Sequence, residues 1–215
     1  MIKAVIFDMD GVIADTEPLH EKARVRVLKS LGLDAEAISP LAIGRCKRAF
    51  WSEVAEKCGL NYTADELTDR EFKGIIELAR EERLQPTTNL RGLLERLRAD
   101  GIATAVASSS DKTYVNEILD ITNLGEFFKV RASGDEVPAA KPAPDVYLKA
   151  LDELGVKAAD SLAVEDSDTG AQAAVAAGIR CVAYDVITDP ALKQKFAVCA
   201  YKVNDMSKIA SLAEN

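Results

Sequence analysis

From Gly101 onward, short β-rich runs alternate with stretches of helical period, and this alternation restricts the chain to a parallel sheet wrapped by helices. The runs are Ile102 to Ala107, Lys129 to Ala132, Ser161 to Glu165, Gly178 to Ala183 and Val198 to Val203. Between them lie predicted helices over Thr113 to Ile121, Pro144 to Gly155 and Thr169 to Ala177, the second with Pro just inside its start and Gly at its end. Parallel strands need crossovers, and helical crossovers cover both faces of the sheet. The opening run Ala4-Val5-Ile6-Phe7 is fully apolar and belongs to the same sheet. The expected fold is therefore α/β, a Rossmann-like doubly wound parallel sheet.

The second strand does not begin until Ile102, so the chain between must build something else. From Asp15 to about Pro86 apolar residues recur at spacings of three and four, as in Ala23-Val27-Leu28-Leu31 and Val54-Ala55-Cys58. This predicts a small helical domain inserted after the first strand. It opens at Asp15-Thr16-Glu17-Pro18 and closes at Gln85-Pro86-Thr87-Thr88. The predicted division is a core of residues 1–14 and 87–215 and a helical insertion of residues 15–86. A length of 215 residues accommodates both, and 48% hydrophobic content suffices for a core. A net charge of −8 argues against nucleic-acid and anionic-membrane partners. No apolar run approaches the roughly 20 residues of a membrane span, and Met1-Ile2-Lys3 leads straight into a strand without a leader pattern, so a cytoplasmic location is expected. Cys46, Cys58, Cys181 and Cys199 form no Cys-x-x-Cys and are expected to be reduced, mostly buried thiols.

Open parallel sheets bind ligands beyond the carboxyl ends of their strands. Asp8 and Asp10, in Phe7-Asp8-Met9-Asp10-Gly11-Val12, stand at that place, and Glu165-Asp166 ends another predicted strand. Four carboxylates at one sheet edge repel unless cations compensate, and an all-oxygen donor set with few protein groups suits Mg²⁺. Ser108, after Ala105-Val106-Ala107, offers a hydroxyl, and Lys141, before Pro142, offers an ammonium; both suit an anionic substrate. Asp145 is read as a charge at a helix start.

The segments Asp8-Met9-Asp10-Gly11-Val12, Ala107-Ser108, Lys141-Pro142-Ala143-Pro144-Asp145 and Glu165-Asp166-Ser167 resemble, in order, the four motifs of the haloacid dehalogenase-like superfamily. The likeness is to the branch containing β-phosphoglucomutase and small sugar-phosphate phosphatases, whose helical cap follows the first motif. The resemblance implies that Asp8 is a nucleophile forming an aspartyl-phosphate and that Asp10 is the general acid and base. It further implies Mg²⁺ held by Asp8, the Asp10 backbone carbonyl and Asp166, with Glu165 behind them, and Ser108 and Lys141 on the transferring oxygens. Ser109, beside Ser108, is a further substrate-binding candidate.

In the insertion, Gly44-Arg45-Cys46-Lys47-Arg48 is a basic cluster after glycine, and Arg45 and Lys47 are candidates for binding the distal part of a phosphorylated substrate. His20 is a third candidate, placed by the resemblance facing the site, and Lys73 a weaker one. Phe50 and Trp51 read as core of the insertion. Receiver-type signalling domains also carry strand-end aspartates, but the long insertion and Asp10 speak against one; dehalogenases of the superfamily lack the second aspartate. Between hydrolysis and mutase chemistry the resemblance favours a phosphatase, because genuine β-phosphoglucomutases carry Gly-Val-Ser-Arg in the cap loop and a tryptophan on the first cap helix. Here Gly44-Arg45-Cys46-Lys47 and Arg24 stand in those places.

Overall fold

The computed structural model describes residues 1–42, 45–187 and 193–213. The chain forms two compact units, Met1–Asp15 with Gln85–Asn215, and Thr16–Leu84. Strand β1 (Ala4–Phe7) opens the first unit. The second unit then follows as helices α1 (Glu17–Ser30), α2 (Ala35–Ile38), α3 (Lys47–Lys57) and α4 (Ala64–Glu81). The chain re-enters the first unit at Gln85, and two residues on the Thr87 N–H donates to the Ile13 carbonyl at 2.9 Å. It continues as α5 (Leu90–Ala99), β2 (Ala103–Ala107), α6 (Lys112–Ile121), β3 (Val130–Ala132), α7 (Asp145–Leu154), β4 (Ser161–Glu165), α8 (Asp168–Ala176), β5 (Arg180–Tyr184), β6 (Tyr201–Val203) and α9 (Ile209–Ala213).

The six strands are all parallel, in the order β3-β2-β1-β4-β5-β6. This is the doubly wound arrangement, and its order reverses at β1, which lies between β2 and β4. Register explains the all-apolar strands. Ile6 aligns with Ala105 and Ala163, and Ala163 with Cys181, a row that packs under Val146, Tyr147 and Ala150 of α7 and Ala171 and Ala174 of α8. Phe7, one residue on, aligns with Val106 and Val164, and its ring meets that of Phe128 edge-on at 5.9 Å. Both faces are covered, so neither tolerates the polar alternation of a half-exposed strand. Among the described residues no helix is long and apolar enough to cross a membrane.

Some boundaries differ from expectation. β6 starts at Tyr201 rather than Val198, because Val198 is exposed in the turn before it. β5 starts at Arg180, since Gly178, at φ +81°, still belongs to the turn ending α8. Helix α5 was not expected; it buries Leu90, Leu93, Leu94 and Leu97 along one face. All four cysteines are free, but only Cys181 is buried; Cys199 is half-buried and Cys46 and Cys58 are exposed. The expectation of mostly buried thiols is thus corrected: Cys46 and Cys58 are the residues capping the two ends of α3, and both are exposed there.

In the second unit Phe50 and Trp51 are buried with Val27, Leu28, Val54 and Leu67, as expected of core. A carboxylate lies among them. Glu71 is fully buried, accepts from the Trp51 indole Nε1 at 2.6 Å, and has the Arg24 guanidinium at 3.5 Å. Arg24 also stacks over the Phe50 ring at 5.7 Å. A buried carboxylate persists only with such donors, and removing it strands an indole N–H and a largely buried guanidinium. Glu71→Ala should therefore cost about 3 kcal/mol in denaturant unfolding. A change below about 0.5 kcal/mol would show that this cluster contributes nothing net to stability.

Candidate active site

The register that builds the sheet also crowds its carboxyl edge. One step beyond the aligned pair Phe7 and Val164 stand Asp8 and Glu165, and the Asp8 N–H donates to the Val164 carbonyl at 2.9 Å. Asp8 and Glu165 are both buried. Lys141, in the segment before α7, places its Nζ 2.5 Å from Asp8 Oδ1, 2.6 Å from Glu165 Oε1 and 2.9 Å from the carbonyl of Ala107, the last residue of β2. Only 6% of its side chain is exposed, so the ammonium is committed to these three oxygens.

Tyr147 of α7 completes this arrangement. Its hydroxyl donates to Glu165 Oε1 at 2.7 Å, and its ring lies 5.0 Å from the Lys141 ammonium. Glu165 Oε2 accepts from Ser167 Oγ at 3.1 Å, while the same Oγ accepts from the Gly170 N–H at 3.0 Å and caps α8. The carboxylate thus rests on a helix N-terminus, a favourable place for negative charge. Gly170 makes room for it: a Cβ there would lie 2.0 Å from Glu165 Oε1. Gly11 plays the same part for Asp166, since its φ of +78° suits glycine and a Cβ would meet Asp166 Oδ2 at 1.9 Å.

Asp10 sits in the tight loop after β1, where the Gly11 N–H donates to the Ala14 carbonyl at 2.9 Å. Its Oδ1 accepts from the Tyr114 hydroxyl at 2.6 Å and its Oδ2 from Ser110 Oγ at 3.2 Å. Ser108 is fully buried, and its Oγ accepts the Ser110 N–H at 3.0 Å; Ser109 is exposed. The cap of α6 is not a serine, for Asp111 accepts the Tyr114 N–H at 2.8 Å.

The first unit therefore brings together Asp8, Asp10, Ser108, Lys141, Glu165 and Asp166. Tyr114, Tyr147 and Ser110 are additions that the sequence alone does not single out. The signal for the two tyrosines is their buried hydroxyls, which need partners, but burial is a tertiary fact. The second unit holds the other candidates. His20 is buried on α1. Arg45 pairs with Glu53 at 2.5 Å, Lys47 lies over the Phe72 ring at 5.4 Å, and Arg48 pairs with Asp65 at 2.8 Å. Gly44, which opens the basic cluster, lies outside the described residues. Lys73 is exposed on α4.

Asp8, Glu165 and Asp166 present carboxylate oxygens all within 4.8 Å of one another. Burial first, and then the Glu165 charge, push the Asp8 carboxyl up to about 7 despite Lys141. Burial alone would lower Lys141, but the Asp8 and Glu165 charges override it and hold the ammonium protonated above its usual range. One ammonium thus leaves the cluster with surplus negative charge, and hard oxygen donors so spaced fit a divalent cation such as Mg²⁺.

A doubly wound sheet with paired aspartates after its first strand and a lysine bridging to an acidic pair after its fourth is an arrangement for hydrolytic chemistry on anionic substrates. The profile of the haloacid dehalogenase-like hydrolase family matches residues 5–184, and the chain belongs to that family. It is 30% identical over 222 residues to Protein CbbY of Rhodobacter capsulatus, with 99% of this chain and 97% of that one covered. It is 33% identical over 190 residues to the phosphorylated carbohydrates phosphatase of Thermotoga maritima, with 86% of each covered. Among solved structures, a variant of CbbY from Rhodobacter sphaeroides in complex with xylulose-(1,5)bisphosphate superposes with a TM-score of 0.83 at 26% identity, covering 97% of this chain and 96% of that one.

The Asp8 environment carries a signature in stability. Without a divalent cation the folded carboxyl titrates near 7 and the unfolded one near 3.8, so between these values the folded state binds more protons. The Asp8 contribution to stability therefore falls as pH rises from about 4 to about 7 and levels off above. Asp8→Asn should remove that slope, so that its stability in chelator, measured against wild type, gains steadily across the window. A difference that stays flat between pH 4 and 7 would contradict the crowding described.

Proposed function

We propose that the chain is a Mg²⁺-dependent phosphatase of small phosphorylated metabolites, sugar phosphates foremost, acting through an aspartyl-phosphate on Asp8. The observation that carries this reading is the buried Lys141 bridge between Asp8 and Glu165, with Asp166 and Asp10 beside it. The substrate class is supported by the phosphorylated carbohydrates phosphatase and the bisphosphate-bound CbbY to which the chain is similar.

Lys141 fixes one Asp8 oxygen, so the carboxylate is oriented before substrate arrives. Asp8 attacks phosphorus in line, the bond from phosphorus to the leaving oxygen breaks, and that oxygen takes a proton from Asp10. Water then yields a proton to Asp10 and attacks the aspartyl-phosphate, releasing inorganic phosphate and restoring the Asp8 carboxylate. Ser108 donates its hydroxyl to the phosphoryl oxygens, and Lys141, whose three donors are held by Asp8, Glu165 and the Ala107 carbonyl, contributes its positive charge beside them, with Ser109 at the rim. Asp8, the Asp10 backbone carbonyl and Asp166 would hold Mg²⁺, with Glu165 acting from behind, and the ion would neutralise charge between nucleophile and phosphoryl group. Recognition of the rest of the substrate is assigned to the second unit, with His20, Arg45 and Lys47 as its candidates. Arg45 would have to leave Glu53, whereas Lys47 on the Phe72 ring keeps its donors.

The test is a phosphate-release screen over sugar phosphates with Mg²⁺ or excess EDTA. Release should need Mg²⁺, and Asp8→Asn should lower it by more than about a thousandfold. Turnover that is undiminished in EDTA, or retained in Asp8→Asn, would overturn the proposal.

A further inference from the structure

The role given to Asp10 needs a carboxyl whose proton is aimed at the leaving oxygen, and Asp10 has no helix or strand of its own to hold it. It lies in the loop after β1 and is only half-buried. One hydrogen bond to its side chain comes from α6. Asp111 caps that helix by accepting the Tyr114 N–H at 2.8 Å, which fixes the first turn and with it the start of the Tyr114 side chain. The Tyr114 ring is fully buried in the first unit, and its hydroxyl ends 2.6 Å from Asp10 Oδ1. A phenol fixed by a packed ring loses little freedom on making this bond, and a bond to a carboxylate is among the stronger kinds.

We infer that Tyr114 is a positioning residue for Asp10: by donating to Oδ1 it fixes the carboxyl and leaves Oδ2 as the oxygen that carries the transferable proton. This rests on the reading of Asp10 as the general acid. A partner of Oδ2 suits that task, for Ser110 Oγ, at 3.2 Å, is a hydroxyl that can donate to the carboxylate or turn to accept from the carboxylic acid. With its proton donated to Oδ1, Tyr114 acts through Asp10 in this assignment. In the first half-reaction Asp10 Oδ2 gives its proton to the leaving oxygen as Asp8 bonds to phosphorus. In the second, Oδ2 regains a proton from water. The Tyr114 proton stays in place through both.

Removing the hydroxyl while keeping the ring should therefore harm proton delivery rather than phosphoryl binding. The experiment measures the single-turnover release of leaving group from phenyl phosphate and from p-nitrophenyl phosphate with Mg²⁺. The proteins compared are wild type, Tyr114→Phe, Asp10→Asn and the double variant. Phenolate is the poorer leaving group and needs the acid more. Tyr114→Phe should slow phenol release about tenfold more than nitrophenol release, a share of the hundredfold or more that a positioned acid supplies. It should add no further loss on top of Asp10→Asn, because both act through one carboxyl. Equal slowing of both substrates, or losses that multiply in the double variant, would overturn the inference and return Tyr114 to a packing role. If Asp10→Asn itself slows both substrates equally, the reading of Asp10 as the acid fails, and the inference with it.

Discussion

The ammonium of Lys141 is the charge on which the candidate site depends. Parallel pairing of β1 with β4 sets Asp8 and Glu165 side by side at the sheet edge, buried to a degree that neither could sustain alone as an ion. Lys141 answers both at hydrogen-bond distance, and Tyr147, Ser167 and the N-terminus of α8 complete the surroundings of the Glu165 oxygens. Taking out one partner of such a cluster leaves the others buried without compensation, which costs several kcal/mol. The same attraction that stabilises the cluster also restrains it, so the Asp8 carboxylate is oriented by the fold. Crowding that is only partly neutralised leaves carboxylate oxygens of Asp8, Glu165 and Asp166 so spaced that they could hold a divalent cation.

Much of this is legible in the amino-acid sequence. The apolar run Ala4 to Phe7 followed by Asp8 and Asp10 states both a buried strand and what stands at its end, since strand residues alternate between covered faces and the chain must then leave the sheet. The same logic places Glu165 and Asp166, and the order of motifs places Lys141 and Ser108. What stays hidden depends on distance across the fold. Tyr114 and Tyr147 are ordinary aromatic positions on amphipathic helices, and nothing within α6 or α7 says that their hydroxyls end on Asp10 and Glu165. Helix α5 escapes notice because its short leucine-rich run follows a stretch of turn residues, and its start at Asn89, with φ of +66°, carries no side-chain cap to announce it.

The second unit shows the limit of reading charge from sequence. A basic cluster after a glycine suggests an anion clamp, yet Arg45 and Arg48 have acidic partners within their own unit, and Lys47 rests on an aromatic ring. Arg24, which stands where the mutases of the resembled branch carry tryptophan, is engaged with a buried glutamate and the Phe50 ring. Its charge is spent inside the unit. Holding Glu71 among Phe50, Trp51 and Leu67 makes this helical unit's core depend on a polar contact, which favours one packing over its apolar alternatives.

The central claim is that Asp8 carries the phosphoryl group during turnover. The direct measurement is to acid-quench wild type during turnover of a sugar phosphate with Mg²⁺, and Asp10→Asn during reaction with p-nitrophenyl phosphate, whose leaving group needs little acid so that loss of the second-step base accumulates the adduct, then to digest each protein and locate phosphoryl adducts by mass spectrometry. The account predicts an adduct on the peptide carrying Asp8, removed by neutral hydroxylamine as an acyl phosphate is. An adduct on another residue, or none at all while phosphate is being released, would contradict it.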